Sequence, residues 1–145
     1  MTDPFDLQRF VAAQDPVLPA VLAELAAGRK RTHWMWFVFP QLTGLGRSAM
    51  AQRYALASLS EAQAYLAHPV LGQRLAQCAG LVNGVESRGI TAILGTPDDA
   101  KFHSCMTLFA LAAPEEAVFR TALDKYFGGI PDALTVERVG AQGRG

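Results

Sequence analysis

Cationic side chains and large aromatic rings are concentrated in residues 30–41, which read KRTHWMWFVFPQ. Lys30 and Arg31 could pair with the phosphate of a nucleotide or an ADP-ribose-like molecule, and the ring of that ligand could stack on Trp34 or Trp36. The segment's polar and stacking candidates are Lys30, Arg31, His33, Trp34, Trp36 and Gln41. Alternatively, both tryptophans belong to the core and the cations neutralise the end of the preceding helix.

A second set of reactive side chains lies in the apolar segment 97–112. Asp99 and His103 are four residues apart, so on a helix they share a face, and the carboxylate could orient the imidazole as a general base. The other candidates here are Lys101 for an anionic group, and Ser104 or Cys105 as a nucleophile. Alternatively, the Asp99–His103 pair only stabilises a solvated helix edge, by about 0.2–0.5 kcal/mol.

A glycine-rich turn precedes one of the predicted helices. Gly44 and Gly46 let the backbone approach an anion, and the N-terminal N–H groups of a helix bind phosphate, so Ser48 is a further ligand-binding candidate. The spacing matches neither the P-loop nor the dinucleotide-binding motif. A plain turn between helices is therefore the favoured interpretation.

Metal chemistry finds little support in the sequence. No two of the three histidines are three or four residues apart, and neither Cys-x-x-Cys nor His-Glu-x-x-His occurs. We therefore predict no metal site, and the identity of any cofactor stays open.

Composition narrows the classes of partner. The 145 residues carry no formal net charge and are 50% hydrophobic, so the chain lacks the electrostatic footprint of a nucleic-acid binder and is not drawn to an anionic membrane. No apolar run approaches the roughly 20 residues that cross a bilayer, and the N-terminus lacks the apolar core of a signal peptide. With only two cysteines, a reducing cytoplasmic location is expected, while the oligomeric state stays open.

The apolar run 34–39 must be covered on all sides, because it shows no polar face. We predict a short buried helix over residues 32–39 at the centre of the fold, with Thr32 as its N-cap and Pro40 ending it.

Proline after a capping residue marks several further helix starts and favours an all-α fold. The predicted helices cover about 4–13, 16–27, 32–39, 47–57, 61–67, 69–83, 90–94, 97–112 and 114–127. We expect one all-α domain of roughly eight or nine short helices over residues 1–133, as an α-α superhelix or orthogonal bundle. The polar, glycine-rich residues 134–145 are expected to form a partly disordered tail.

Three blocks of sequence are distinctive. They are residues 30–41 with Gly44, Gly46, Ser48 and Tyr54 after them, residues 65–75 with Tyr65-Leu66, His68-Pro69, Leu71-Gly72 and Arg74-Leu75, and KFHSCMTLF at 101–109. Together they resemble a family of small uncharacterised proteins classified as a domain of unknown function. The resemblance covers about residues 4–127 and implies an all-helical, superhelix-like fold, but no activity, cofactor or catalytic residue.

Some members of that family carry the name calpastatin. A calpain inhibitor of that type is long, polar and disordered, which requires low hydrophobicity. Because half of this chain is hydrophobic, the sequence argues against the name.

The leading functional hypothesis is a cleft between residues 30–41 and 97–112 that binds an anionic small molecule. Lys30, Arg31 and Lys101 would hold the anion, and His33 or His103 would be the acid/base group of a hydrolase-type reaction. The rival hypothesis is a non-catalytic helical module for protein–protein interaction. Its mark would be a contiguous exposed apolar patch of several hundred Å².

Overall fold

The computed structural model of the protein describes residues 3–144, and it is built from α-helices. Within these residues there are ten helices and no β-strand, and one isolated bridge joins Leu42 to Leu56. The helices are α1 (Gln8–Gln14), α2 (Leu18–Ala26), α3 (Met35–Val38), α4 (Ala49–Arg53), α5 (Leu59–Ala67), α6 (Leu71–Asn83), α7 (Ile90–Leu94), α8 (Asp98–Ala112), α9 (Ala117–Phe127) and α10 (Ala133–Arg144). The predicted all-α fold class is confirmed.

The aromatic segment lies at the centre of the fold, against the longest helix. The Phe39 ring meets the Phe102 ring of α8 edge to face, with centroids 5.0 Å apart, and the Trp34 ring lies 6.2 Å from Phe39. All three rings are buried, and such pairs add about 0.5–1.5 kcal/mol beyond the area they bury. Because α8 also packs against α5, α7, α9 and α10, it supports the aromatic segment from the middle of the molecule.

The central helix is shorter than predicted. α3 is a single turn, Met35–Val38, and no side chain caps it. Thr32 is not the N-cap, because its hydroxyl donates to the carboxylate of Glu24 instead (2.7 Å). The prediction of a helix over residues 32–39 is therefore right about position and burial but wrong about its first turn.

Other helix starts also differ from the predicted ones. α1 begins at Gln8 instead of residue 4, although the Asp3 carboxylate still accepts the N–H groups of Leu7 (2.8 Å) and Gln8 (2.9 Å). α5 is capped by Ser58, whose hydroxyl accepts a first-turn N–H at 3.1 Å, and not by Ser60. The Asp3 carboxylate and the Ser58 hydroxyl thus satisfy N–H groups near the two helix starts, but α1 starts later and α5 starts earlier than predicted.

A tenth helix occupies the segment that the sequence led us to expect as a partly disordered tail. Helix α10 runs from Ala133 to Arg144, and Gly145 lies outside the described residues. The Asp132 carboxylate accepts hydrogen bonds from the Thr135 N–H (3.1 Å) and hydroxyl (2.6 Å), which caps the first turn. The prediction of a partly disordered tail was based on the polarity and glycine content of residues 134–145, and it overlooked this Asp-x-x-Thr cap.

Polar side chains of α8 fasten α10 to the core. The Ser104 hydroxyl donates to the Asp132 carboxylate (3.2 Å), and the Asp132 N–H donates to the Thr107 hydroxyl (2.8 Å). Thr135 is fully buried at this junction. Asp132 therefore both starts α10 and attaches it.

Replacing Asp132 with alanine is expected to loosen α10 selectively. The change removes the cap and leaves the buried Thr135 hydroxyl without its acceptor, a loss of about 1–2 kcal/mol. Amide hydrogen exchange should accelerate within α10 and stay unchanged in α6. The control is Glu137→Ala, an exposed side chain on the same helix. Equal acceleration in α6 would show that Asp132 supports the whole fold and not this attachment.

Candidate functional site

Glu24 of α2 fixes the chain that leads into the aromatic segment. Its carboxylate accepts four hydrogen bonds, from the Arg31 N–H (2.6 Å), the Thr32 N–H (2.9 Å) and hydroxyl (2.7 Å), and the Trp34 indole N–H (3.1 Å). Burial alone would raise the pKa of Glu24, but the hydrogen bonds outweigh it and lower the pKa to about 2. The ionised carboxylate therefore holds residues 31–34 in one conformation.

One carboxylate, Asp98 at the start of α8, joins two lysines. Lys30 Nζ lies 3.0 Å from Asp98 Oδ2, and Lys101 Nζ lies 3.6 Å from Oδ1. Lys30 also lies over the Trp34 ring at 5.2 Å and Lys101 over the Trp36 ring at 5.6 Å. These five side chains, the lysine–aspartate cluster, combine two cations with one anion beside two aromatic faces.

A small cleft opens next to the cluster, between α3, the glycine turn and α8. This α3–α8 cleft has a volume of only about 10 Å³ and is lined by Met35, Trp36, Phe39, Gln41, Leu42, Gly46, Ala51, Tyr54 and Lys101. A side chain at position 46 would meet the Ala51 Cβ at 2.6 Å, so glycine allows α4 to pack against this wall. That is room for about one water molecule and far below the roughly 300–1,000 Å³ of most ligand pockets, so a ligand would have to lie on the surface at its mouth.

Five predicted site residues come together here: Lys30, Trp34, Trp36, Gln41 and Lys101. Trp34 is fully buried, whereas Trp36 is partly exposed, so only Trp36 offers a face for stacking. The two lysines differ as well, because 8% of the Lys30 side chain is exposed against 24% for Lys101. The accessible part of the site is therefore Trp36, Gln41 and Lys101.

Three other predicted residues of the N-terminal half do not line the cleft. Arg31 and His33 are exposed, and within residues 3–144 their side chains make no hydrogen bond or ion pair. The Ser48 hydroxyl accepts the Ala51 N–H (3.1 Å) and so caps α4. The geometry at Ser48 is therefore that of a plain turn between helices, the interpretation that the sequence favoured.

The predicted Asp99–His103 pair does not form. The Asp99 carboxylate accepts the hydroxyl of Thr91 (2.7 Å), which ties α8 to α7. His103 Nε2 lies 2.7 Å from the Ile130 carbonyl oxygen, and its imidazole stacks on the Phe127 ring at 3.9 Å. His103 therefore packs at the α9–α10 connection, outside the cleft, and no carboxylate orients it.

Neither predicted nucleophile is available for chemistry. The Ser104 hydroxyl donates to the Ala100 carbonyl (3.2 Å) as well as to Asp132. Cys105 is fully buried, and burial raises the pKa of its thiol, which suppresses the reactive thiolate. Burial likewise raises the pKa of Cys78 to about 12.

Sequence reasoning missed the two carboxylates that organise the site. Asp98 is an acidic residue in the first turn of a helix, a common position that complements the helix dipole, and only its i,i+3 spacing to Lys101 indicates a pair. Glu24 lies within the predicted helix 16–27, and no local sequence pattern connects it with Arg31, Thr32 and Trp34, which follow it by seven to ten positions.

The described residues offer no assembled metal site and no membrane span. Between residues 3 and 144, His, Cys, Asp and Glu side chains nowhere gather in threes or more to hold an ion. None of the helices described here combines the length and the apolar character that crossing a bilayer requires.

Fold and site together define a small all-α protein whose central aromatic segment is joined to its longest helix by the lysine–aspartate cluster. The family described as "Protein of unknown function (DUF1810)" matches residues 4–139. The chain belongs to this family, which confirms the resemblance seen in the sequence.

A solved structure shares the fold. It is the crystal structure of the conserved hypothetical protein Rv1873 from Mycobacterium tuberculosis, with 58% sequence identity and a TM-score of 0.94. The similarity covers 95% of this chain and 99% of that chain. No curated protein matches.

Proposed function

We propose that the protein binds a small anionic molecule with a planar ring, such as a nucleotide or an ADP-ribose-like compound, at the mouth of the α3–α8 cleft. The observation that carries the proposal is the sharing of one carboxylate, Asp98, by Lys30 and Lys101 beside the partly exposed ring of Trp36. The cluster has a surplus of positive charge, and an aromatic face lies next to it.

The two lysines would have different roles. Lys30 stays with Asp98 at 3.0 Å and neutralises it, whereas the longer 3.6 Å contact leaves Lys101 free to turn toward a phosphate. The ligand ring would stack on Trp36, and the Gln41 amide would supply a hydrogen bond. Since Asp99, His103, Ser104 and Cys105 all lie elsewhere, the proposal is one of binding, and no hydrolytic step is assigned.

A thermal-melting screen with ADP-ribose, ATP, NAD and inorganic phosphate tests the proposal. A ligand at 100 times its Kd stabilises the folded state by about 2.7 kcal/mol, which should raise Tm by roughly 5–10 °C. Lys101→Met and Trp36→Leu should each weaken binding about tenfold or more in calorimetric titration, because each removes a principal contact. Arg120→Met, an exposed cation on α9, is the control and should bind normally.

The same screen separates this proposal from a second candidate, a helical interaction module. That candidate is favoured by large apolar side chains in and before α10, with Ile130 66% exposed and Leu134 59% exposed. If no anionic compound raises Tm, the cleft proposal fails and the interaction module takes its place. If Arg120→Met weakens binding as much as Lys101→Met, binding is not specific to the cleft and the proposal also fails.

We also propose a cytoplasmic site of action. In support, Cys78 and Cys105 are both free and buried, as in proteins of reducing compartments.

A further inference from the structure

A larger groove lies away from the α3–α8 cleft, between two interhelical turns. The α5–α6 turn and the α8–α9 turn form its two sides, and its volume is about 690 Å³. Its apolar floor includes Gly72, Ala76, Ala112 and the buried ring of Phe119. The size falls within the range of about 300–1,000 Å³ that is usual for small-molecule sites.

Two carboxylates and two neutral amides line the groove beside this floor. Glu115 and Glu116 stand on one side, and Gln63 and Gln73 line the groove as well. Within residues 3–144 none of these four side chains forms a hydrogen bond or an ion pair with the protein. No lysine or arginine lines the groove, so its polar capacity is mainly for accepting hydrogen bonds and pairing with a cation.

His68 at the α5–α6 turn adds one oriented group. Its Nδ1 accepts the N–H groups of Val70 (3.1 Å) and Leu71 (3.3 Å), so the neutral ring carries its proton on Nε2. These two hydrogen bonds also hold the turn that forms this side of the groove. The α5–α6 side of the groove is therefore fixed by hydrogen bonds between a side chain and the backbone.

We infer that this groove binds a small organic cation, a protonated amine or amidinium carried on an apolar body. The charged group would pair with the Glu115 and Glu116 carboxylates, while the body would cover Leu66, Pro69 and Ala76, apolar lining residues that are at least partly exposed. The groove shares no lining residue with the α3–α8 cleft, and the two have opposite charge preference. The inference is thus independent of the proposed function.

Phenethylamine and benzamidine are suitable probes because each joins one cation to one ring. Titrated into the ¹⁵N-labelled full-length chain, they should shift backbone amide resonances of residues 66–76 and 112–119 and leave those of α3 and α4 unchanged. Phenylacetate has the same ring and nearly the same size but the opposite charge, and it should produce no such shifts.

The double variant Glu115→Gln, Glu116→Gln should weaken amine binding about tenfold or more, since it removes both charged acceptors. Both side chains are exposed, so the variant should fold and melt like the wild type. The matched control is Glu86→Gln, Glu137→Gln, which removes two exposed charges elsewhere and should bind normally.

Four outcomes would overturn the inference. The first is the absence of shifts with both cations at 10 mM, about ten times a millimolar Kd, which is weak even for a fragment. The second and third are equal shifts with phenylacetate and unchanged affinity in the Glu115/Glu116 double variant. The fourth is shifts confined to the α3–α8 cleft, because they would place the cation at the other site.

Discussion

Gly72→Ala should destabilise the protein by about 3 kcal/mol or more, because at this glycine the start of α6 lies in backbone contact with the end of α5. A Cβ at position 72 would lie 2.1 Å from the carbonyl oxygen of Leu66 and 2.9 Å from its carbonyl carbon. Both atoms belong to the main chain, so no side-chain rotation can relieve the overlap, and the two helices must separate. The expected fall in Tm is roughly 6–12 °C for a domain of this size.

Gly80 provides a matched control within the same helix. It is exposed, and an added Cβ there would meet nothing within 4 Å. Gly80→Ala should therefore stabilise the protein by about 0.5–1 kcal/mol, the usual gain from alanine in a helix interior. Urea denaturation of the two variants checks the pair. If Gly72→Ala were as stable as Gly80→Ala, the close backbone contact between Gly72 and Leu66 would be refuted.

The two glycines show what the sequence can and cannot reveal. Both fall inside the helix predicted at 69–83, which the structure places at Leu71–Asn83, and local patterns treat them alike. Only the packing of another helix separates an indispensable glycine from a replaceable one, and that neighbour is set by tertiary structure.

Long helices with a strong apolar pattern were predictable to within about three residues. The helix expected at 97–112 is found at Asp98–Ala112, and the one expected at 114–127 at Ala117–Phe127. Errors concentrate where distant groups decide the outcome. α3 loses its predicted first turn to Glu24 of another helix, and α10 forms because Ser104 and Thr107 of α8 hold its start.

In the candidate site, too, local sequence patterns predicted one part, and contacts between distant groups decided the other. The sequence identified both segments that meet, and Lys30 and Lys101 do converge, but the carboxylate that joins them was not recognised. His103 lies two residues after Lys101, about 200° around the helix, so one face of α8 cannot present both. The choice between them required knowing which face of α8 meets α3.

Replacing Glu24 with glutamine is expected to destabilise the protein by about 2–3 kcal/mol at pH 7. Its carboxylate accepts all four donors of residues 31–34, and hydrogen bonds to a charged group contribute about 1.5–3 kcal/mol. A glutamine keeps one acceptor oxygen, but its NH₂ group cannot accept the Thr32 hydroxyl. Glu86→Gln, an exposed carboxylate in the α6–α7 loop, should have no measurable effect.

The dependence of this effect on pH distinguishes ionisation from shape. The pKa of Glu24 is lowered from 4.5 to about 2 in the folded protein, so the carboxylate's contribution is fully present above about pH 4.5 and is lost as pH falls toward 2. The difference in unfolding free energy between wild type and Glu24→Gln should therefore shrink progressively across that interval. Chemical denaturation at several pH values measures it. A difference that stays constant from pH 6 to pH 2.5 would mean that Glu24 acts through packing alone, and the aromatic segment would then owe its position to the ring contacts around Phe39 instead of to a buried charge.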